Sequence, residues 1–260
     1  MSTDWNKRAE GYDRLGWVRD ATSMGRLRSI LRNVYEHSSP VRTVDLGCGT
    51  GAVTELLLDM GLQHDVVSVD ASSAMLERCA ARVGESDRWA AERDDAGTWT
   101  CDVPPDIITA RMLLHHMPDP EGALARWFGL LAPGGALVIA ESVLPVDDHE
   151  HPAAKLCQQA LEIKEPGRHH FTPTSIAALM PGQRADSHVE IYAWKTRGNS
   201  MRNWLEGDPS ISEKTRKAIE TLHHLWAKTP EVRAAYEMEI QPDGDILMTW
   251  RHCVVVAWRV

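Results

Sequence analysis

An α/β fold built on a largely parallel sheet is what this sequence predicts, and three observations predict it. A β-branched run at 41–46 leads into the turn Gly47-Cys48-Gly49-Thr50-Gly51, and AVTELLLDM then follows at 52–60 with helical spacing. A second apolar run at 65–69 stops at Asp70 and is again followed by a helical pattern, at 74–83. Strand-like and helix-like segments keep alternating as far as Ser142. Short apolar runs bounded by turn residues read as buried strands, and their alternation with helices is the mark of a parallel sheet. Ligands of such sheets sit at the carboxyl ends of the strands, where the glycine turn falls.

The chain of 260 residues has room for one such domain with sizeable insertions, and 43% hydrophobic content supports a real core. A formal charge of −9 argues against a nucleic-acid backbone as the main partner. Lys7, Arg8, Arg14, Arg19, Arg26, Arg28 and Arg32 gather early, but Glu10, Asp13 and Asp20 are interleaved. That mixture reads as a solvated helical face. The cysteines (Cys48, Cys79, Cys101, Cys157, Cys253) are odd in number and lack CxxC spacing, so neither a disulfide framework nor a zinc site is indicated. No charged-then-apolar leader opens the chain and no apolar run is long enough for a bilayer, so a cytoplasmic setting without membrane contact is expected. Ten tryptophans stand against two phenylalanines. Tryptophan can wall a flat ligand or fill a core, and the core is the expected role for most.

Each element has its own signal. Asp4 caps a short helix that leads to Tyr12, and 22–36 is a second helix with Met24, Leu27, Ile30, Leu31 and Val34 on one face. In the first strand the position of Asp45 decides what the turn can hold. The dinucleotide fingerprint is G-x-G-x-x-G, whereas here the order is Asp-x-Gly-x-Gly-x-Gly. A carboxylate there repels a diphosphate and attracts an ammonium. At the tip of the second strand Asp70 can accept from both hydroxyls of a ribose. Ser72 or Ser73 caps the next helix, and Met75 packs either on a base or in the core.

A third strand at 88–93 runs into Asp94-Asp95-Ala96-Gly97. Pro104-Pro105 introduce a fourth at 106–110, followed by Arg111-Met112-Leu113-Leu114-His115-His116. A helix at 121–131 ends at Ala132-Pro133-Gly134-Gly135, and 136–140 is the fifth strand. Beyond it lie a helix at 152–164 with proline at its first turn, a sixth strand at 188–195 and a largely helical stretch. Asp243-Gly244 marks a hairpin, and 246–250 with 252–260 form the last strand.

The stretch from Val44 to Gly51 resembles the first motif of the class I S-adenosylmethionine-dependent methyltransferases, of the small-molecule kind. Ala9-Glu10-Gly11-Tyr12-Asp13 resembles that family's leading-helix phrase. Leu114-His115-His116-Met117-Pro118-Asp119 and Pro133-Gly134-Gly135 resemble two later ones. The resemblance covers residues 1–142. It implies a Rossmann-like, seven-stranded, mostly parallel sheet with an antiparallel last strand. It also implies one domain over 1–260, with N-terminal helices in 1–37 and helical substrate caps at 143–187 and 197–240.

S-adenosylmethionine is the implied cofactor. Tyr12 would close over its carboxylate, and Asp45, Gly47, Cys48 and Gly49 would hold its amino-acid end with the backbone at Arg111. Asp70, Ala71 and Met75 would take the ribose and adenine side, and Asp95-Ala96 the adenine edge, with Asp94 the one-residue alternative. The implied reaction is methyl transfer to a small molecule, in which a base is needed only if the nucleophile carries a proton. His116 and His169 are the candidate catalytic residues; Arg168, His169, His170 and Trp204 are the candidate substrate contacts. Arg202 is a further candidate, and His223 and His224 are weaker ones.

The expected acceptor is flat, aromatic or heteroaromatic, and suited by Arg168 and Arg202 to an anionic group. Adjacent His115 and His116 at a helix start are expected to diverge. The Asp147-Asp148-His149-Glu150-His151 run has metal-ligand chemistry but reads as a solvated loop, so no metal is expected. A homodimer is compatible with all of this. The rival readings are a non-catalytic S-adenosylmethionine-binding protein, a methyltransferase acting on protein or RNA, and a dehydrogenase, against which Asp45 argues.

Overall fold

In the computed structural model, residues 4–18, 20–38, 42–61, 64–181 and 187–259 are described. Val41 and Val260, at the ends of two expected strands, and Arg19 of the early basic group lie outside them. The order runs α1 (Trp5–Ala9), α2 (Ala21–Ser38), β1 (Arg42–Leu46), α3 (Ala52–Asp59), β2 (Asp65–Val69), α4 (Ser73–Val83) and β3 (Trp89–Glu92). Then come β4 (Ile107–Arg111), α5 (Pro120–Leu130), β5 (Ala136–Val143), α6 (Pro152–Lys164) and α7 (Pro173–Leu179). Last are β6 (Ser187–Ser200), α8 (Met201–Glu206), α9 (Glu213–Trp226), α10 (Pro230–Tyr236), β7 (Glu239–Ile240) and β8 (Ile246–Arg259). One-turn 3-10 segments lie at Tyr12–Arg14 and Leu114–His116.

The sheet order is β3-β2-β1-β4-β5-β8-β6, with β7 paired to β8. The first five strands pair in parallel, and β8 runs antiparallel to both β5 and β6. In β1, Val44 sits between Val67 of β2 and Ile108 of β4, all three buried, as strands covered on both faces require. One face packs α5 and α7 through Leu124, Trp127 and Ile176; the other packs α2 and α3 through Leu31, Val34 and Leu57. Strand order reverses between β1 and β4, so the ligand crevice opens beyond their carboxyl ends.

Three details differ from expectation. The two-residue β7 adds an eighth strand, closing the hairpin at Asp243-Gly244. β8 runs unbroken through Arg251, and β6 continues to Ser200. The cause is shared: the early half of β8 leaves the sheet's own core and enters a separate cluster. There Ile246 and Met248 pack with Leu156 of α6, Leu205 of α8, Ile219 of α9 and Val232 of α10. Burying a side chain of this size stabilises by roughly 1.5–3 kcal/mol, so this cluster is a core in its own right.

Candidate active site

The turn after β1 is made by backbone that only glycine adopts cheaply. Gly47, Gly49 and Gly51 have φ of +60°, +55° and +83°. A Cβ on Gly51 would stand 2.5 Å from Cys79 Sγ, so α4 packs against bare backbone there. Beside the turn is a small cavity lined by Tyr12, Asp45, Gly47, Cys48, Gly49 and Arg111 among others.

Asp45 is only 1% exposed; one oxygen accepts from Thr54 Oγ1 at 2.8 Å and the other from Thr109 Oγ1 at 3.0 Å. Burial pushes its carboxyl up to about 6, against the pull of those two hydroxyls. Arg111 faces the same cavity with its guanidinium over the Trp17 ring, donating to Trp17 O at 2.7 Å and Val18 O at 3.2 Å. Among the described residues no carboxylate lies at ion-pair distance from it. A carboxylate and a guanidinium without a counter-ion, beside open glycine backbone, fit the two charged ends of an amino-acid tail.

The raised carboxyl of Asp45 has a stability consequence. The folded state holds a proton that the unfolded chain has lost, so stability falls as pH rises from near 4 to near 6. Asp45→Asn should therefore melt several degrees higher than wild type at pH 8 without ligand, yet bind S-adenosylhomocysteine more weakly. Differential scanning fluorimetry with and without that ligand reads both.

The remaining cofactor candidates lie along the same carboxyl edge but line neither cavity described here. Asp70 accepts from the Gly49 and Ser72 N–H groups, each at 2.9 Å, and so ties the end of β2 to the glycine turn. Ala71 follows it at the surface, and Met75 is 2% exposed beneath. Asp95 accepts from Gly97 N–H at 2.8 Å, Asp94 from Asp95 N–H, and the buried Ala96 offers its carbonyl to Trp127 Nε1. Asp70→Ala should weaken S-adenosylhomocysteine binding by about 1–3 kcal/mol by calorimetry, the order of a hydrogen bond to a charged group.

A larger cavity, about 1210 Å³ of empty volume counted out to its mouth, spreads over the ends of β4 and β5 beneath α1, α6 and α8. Half of the tryptophans line it: Trp5, Trp17, Trp194, Trp204 and Trp250. Trp99 and Trp127 are core residues. Of the sequence candidates, Tyr12, Arg111, His116, Arg168, Trp204 and His223 line the cavity. His169 and His170 do not: the His169 N–H donates to His115 O and its ring stacks on Phe171, which is buried in the sheet core. Arg202 is outside as well, held by Asp243 at 2.7 Å in the hairpin. In the 147–151 loop, Asp147 binds Arg251, Asp148 accepts from Glu150 N–H, and His151 caps α6.

Lys7, Arg14, Arg26 and Arg32 are exposed, as a solvated basic face requires, but one wall of the cavity corrects that expectation at Arg8. Arg8 is 4% exposed, with Glu165 and Asp208 each 2.8 Å from its guanidinium. Lys164 reaches the same two carboxylates at 3.1 and 2.5 Å, and Arg168 reaches Glu165 at 3.0 Å. Three cations thus share two acids, and the wall is net positive. Further ties hold the N-terminal segment: Asp13 accepts from Thr50 Oγ1 at 2.6 Å and Arg82 at 2.5 Å.

The two histidines also correct expectation. The 3-10 turn at Leu114–His116 folds their rings toward each other, and the Nε2 atoms stand 2.9 Å apart. His115 Nδ1 lies 2.6 Å from Glu141 Oε2, whose partner oxygen accepts from Leu114 N–H at 2.8 Å. Burial holds His115 neutral and pushes His116 down to about 3 and Glu141 up to about 7. The contact is therefore a hydrogen bond and not an ion pair. Glu165 carboxylate oxygen comes within 4.8 Å of the two ring nitrogens, but both its oxygens are already held by cations, so the set is not a free metal site.

The family described as "Methyltransferase domain" matches residues 19–186 of the chain. Trans-aconitate 2-methyltransferase of Methylobacterium nodulans is 31% identical over 239 residues, covering 85% of this chain and 88% of the relative. The enzyme of the same name from Methylobacterium radiotolerans is 43% identical over 101 residues, which span only 38% of its length and 39% of this chain. That from Variovorax paradoxus is 41% identical over 116 residues, or 42% of its length. Among solved structures, the YcgJ protein from Bacillus subtilis shares the fold, with a TM-score of 0.74 at 18% identity, covering 92% of this chain and 98% of its own. The chain belongs to the class I S-adenosylmethionine-dependent methyltransferases, and S-adenosylmethionine is its cofactor. The part of the chain from β6 onward lies beyond the matched family segment. Among the described residues no helix is long and apolar enough to cross a membrane.

Proposed function

We propose that the chain transfers a methyl group from S-adenosylmethionine to a small, flat acceptor bearing an anionic group, enclosed in the larger cavity. The observation that carries this reading is the cavity wall, where five tryptophans surround a space bordered by the net-positive Arg8, Lys164 and Arg168 cluster. Aromatic faces suit a planar acceptor, and the cations suit its anionic group. Relatives named for trans-aconitate support a small anionic acceptor. Of the expected caps at 143–187 and 197–240, α6 and α8 to α10 form the cap around a core of their own, whereas Phe171 and α7 pack into the sheet core and 197–200 belong to β6.

When bound, the cofactor supplies an electrophilic methyl carbon. The chain's residues do the rest. Asp45, Arg111 and Tyr12 hold the amino-acid tail, Asp70 the ribose, and Asp95 with Ala96 the adenine edge. Arg168 and Trp204 orient the acceptor, and the tryptophan faces displace water around it. Such positioning and exclusion supply several kcal/mol of barrier reduction.

The test is calorimetry with S-adenosylhomocysteine, followed by transfer of labelled methyl to trans-aconitate, benzoates, hydroxybenzoates and aminobenzoates. Cofactor binding with label in at least one of these supports the reading. Binding without transfer to any, or label only in protein or RNA, rejects it.

A further inference from the structure

We propose that Glu141, His115 and His116 form a proton relay opening on the acceptor cavity. The atom that receives the methyl group therefore carries a proton, as a hydroxyl or an amine, and this proton leaves along the relay. The inference rests on the methyl-transfer reading above and narrows its acceptor to a class distinct from a bare carboxylate, which has no proton to lose.

The geometry is a row of three contacts. Glu141, at the end of β5, is anchored by the Leu114 N–H, so one of its oxygens is fixed toward His115 Nδ1 at 2.6 Å. That contact orients the imidazole and places its Nε2 against His116 Nε2 at 2.9 Å. The His116 ring makes no other hydrogen bond among the described residues and, packed edge-on against Trp5, borders the cavity. All three residues border the cavity, His116 being the more exposed end of the row and Glu141, 2% exposed, the deeper one. A structural pair of histidines has no need of a buried carboxylate at its far end, since burying one is costly.

Electrostatics set the direction of proton flow. The charged and titratable groups around the row are Arg168, Arg8, Glu165, His170, Arg111 and Cys253. With burial, the excess of guanidinium charge keeps both imidazoles neutral, so neither retains a proton for long. Glu141 is the group whose affinity matches neutral pH, as a final proton acceptor should. The same cations stabilise the negative charge that develops on an acceptor as its proton departs.

The step balances. A lone pair of the acceptor oxygen or nitrogen forms the bond to the methyl carbon, and the carbon–sulfur bond breaks with its electrons passing to sulfur. The acceptor's proton moves to His116 Nδ1, the His116 Nε2 proton to His115 Nε2, and the His115 Nδ1 proton to Glu141 Oε2. Above pH 7 Glu141 starts ionised, and its carboxylic acid afterwards returns the proton to solvent by the reverse route.

The test has two parts. In the ligand-free protein labelled with 15N-histidine, His115 should be neutral with its proton on Nδ1 and His116 neutral with its proton on Nε2, from pH 5 to pH 8. An imidazolium at either position, or the opposite tautomers, overturns the relay. In turnover with labelled cofactor, 4-hydroxybenzoate or 4-aminobenzoate should take up alkali-stable label. Label released by mild alkali is a methyl ester; if only esters form, the relay falls while methyl transfer to a small acceptor stands. Label on neither the hydroxyl nor the amine probe also overturns it.

With the better of those two probes, Glu141→Gln should lower kcat about 100-fold with KM within threefold, a loss typical of general-base removal. It should also abolish the rise of kcat through about pH 7. His116→Asn, less buried and safer for folding, should give the same kcat loss. Unchanged kcat and pH profile in both variants leave the row a packing feature only.

Discussion

Glu165→Gln is expected to cost about 3–5 kcal/mol of stability at pH 7, the range for breaking a buried ion pair from one side. Glu165 is the hub through which Arg8 of α1, Lys164 of α6 and Arg168 meet. Without it, among the described residues, Asp208 alone faces Arg8 and Lys164 at ion-pair distance, and Arg168 keeps no carboxylate there. At this chain length the loss is a fall in melting temperature on the order of 10 °C. The pH dependence follows from the same group. Burial works to raise the Glu165 carboxyl, but Lys164, Arg168 and Arg8 outweigh it and hold it well below the usual range. A depressed carboxyl stabilises above its unfolded value near 4.5, and that stability declines as pH falls below it. Urea unfolding at pH 7 and pH 3 should therefore show the gap between wild type and variant shrinking at the lower pH. A gap under about 1 kcal/mol at pH 7 would place this cluster with ordinary surface pairs.

Gly51→Ala is the second large effect, expected at about 2–5 kcal/mol from two additive causes. The left-handed backbone, φ +83°, penalises any Cβ. The new atom would also press on Cys79 at 2.5 Å from sulfur and 3.1 Å from Cα. Gly244 separates the causes, because it has φ +85° and open space around it. Gly244→Ala should cost only about 1–2 kcal/mol. Equal losses in the two variants would mean that Cys79 yields without cost. Because Gly51 opens α3 beneath the cofactor turn, the variant should also bind S-adenosylhomocysteine more weakly.

The sequence discloses most where structure is local. From Val44 to Val83 the strands, the glycine turn, Asp70 and the Ser72 cap lie within a few residues of the elements they define, and the pattern reads directly. It discloses least where partners are far apart. Nothing near Arg8 marks Glu165 or Asp208 as its partners, so the interleaved acids, which rightly suggest a wet surface for Lys7, Arg14, Arg26 and Arg32, mislead at Arg8. His115 and His116 stand out in the chain. Glu141, however, reads only as the end of a strand, and the tight turn that joins the rings depends on the parallel pairing of β4 with β5. Composition makes the tryptophans conspicuous but cannot separate Trp127, which is core, from Trp204, which faces the cavity. His169 and His170 sit in a promising stretch, yet Phe171 anchors that stretch in the core and takes both away from the site.

Tyr12, Trp17 and Arg111 border the small cavity and the large one alike. The two cavities therefore share a single partition, and residues 4–18 supply much of it. That segment is seated by Arg8 at one end and by the carbonyls of Trp17 and Val18 at the other, so its seating shapes both spaces at once. A substitution that unseats residues 4–18, such as Arg8→Ala, should therefore weaken S-adenosylhomocysteine and acceptor binding together, a joint defect that titrating each ligand separately reads out.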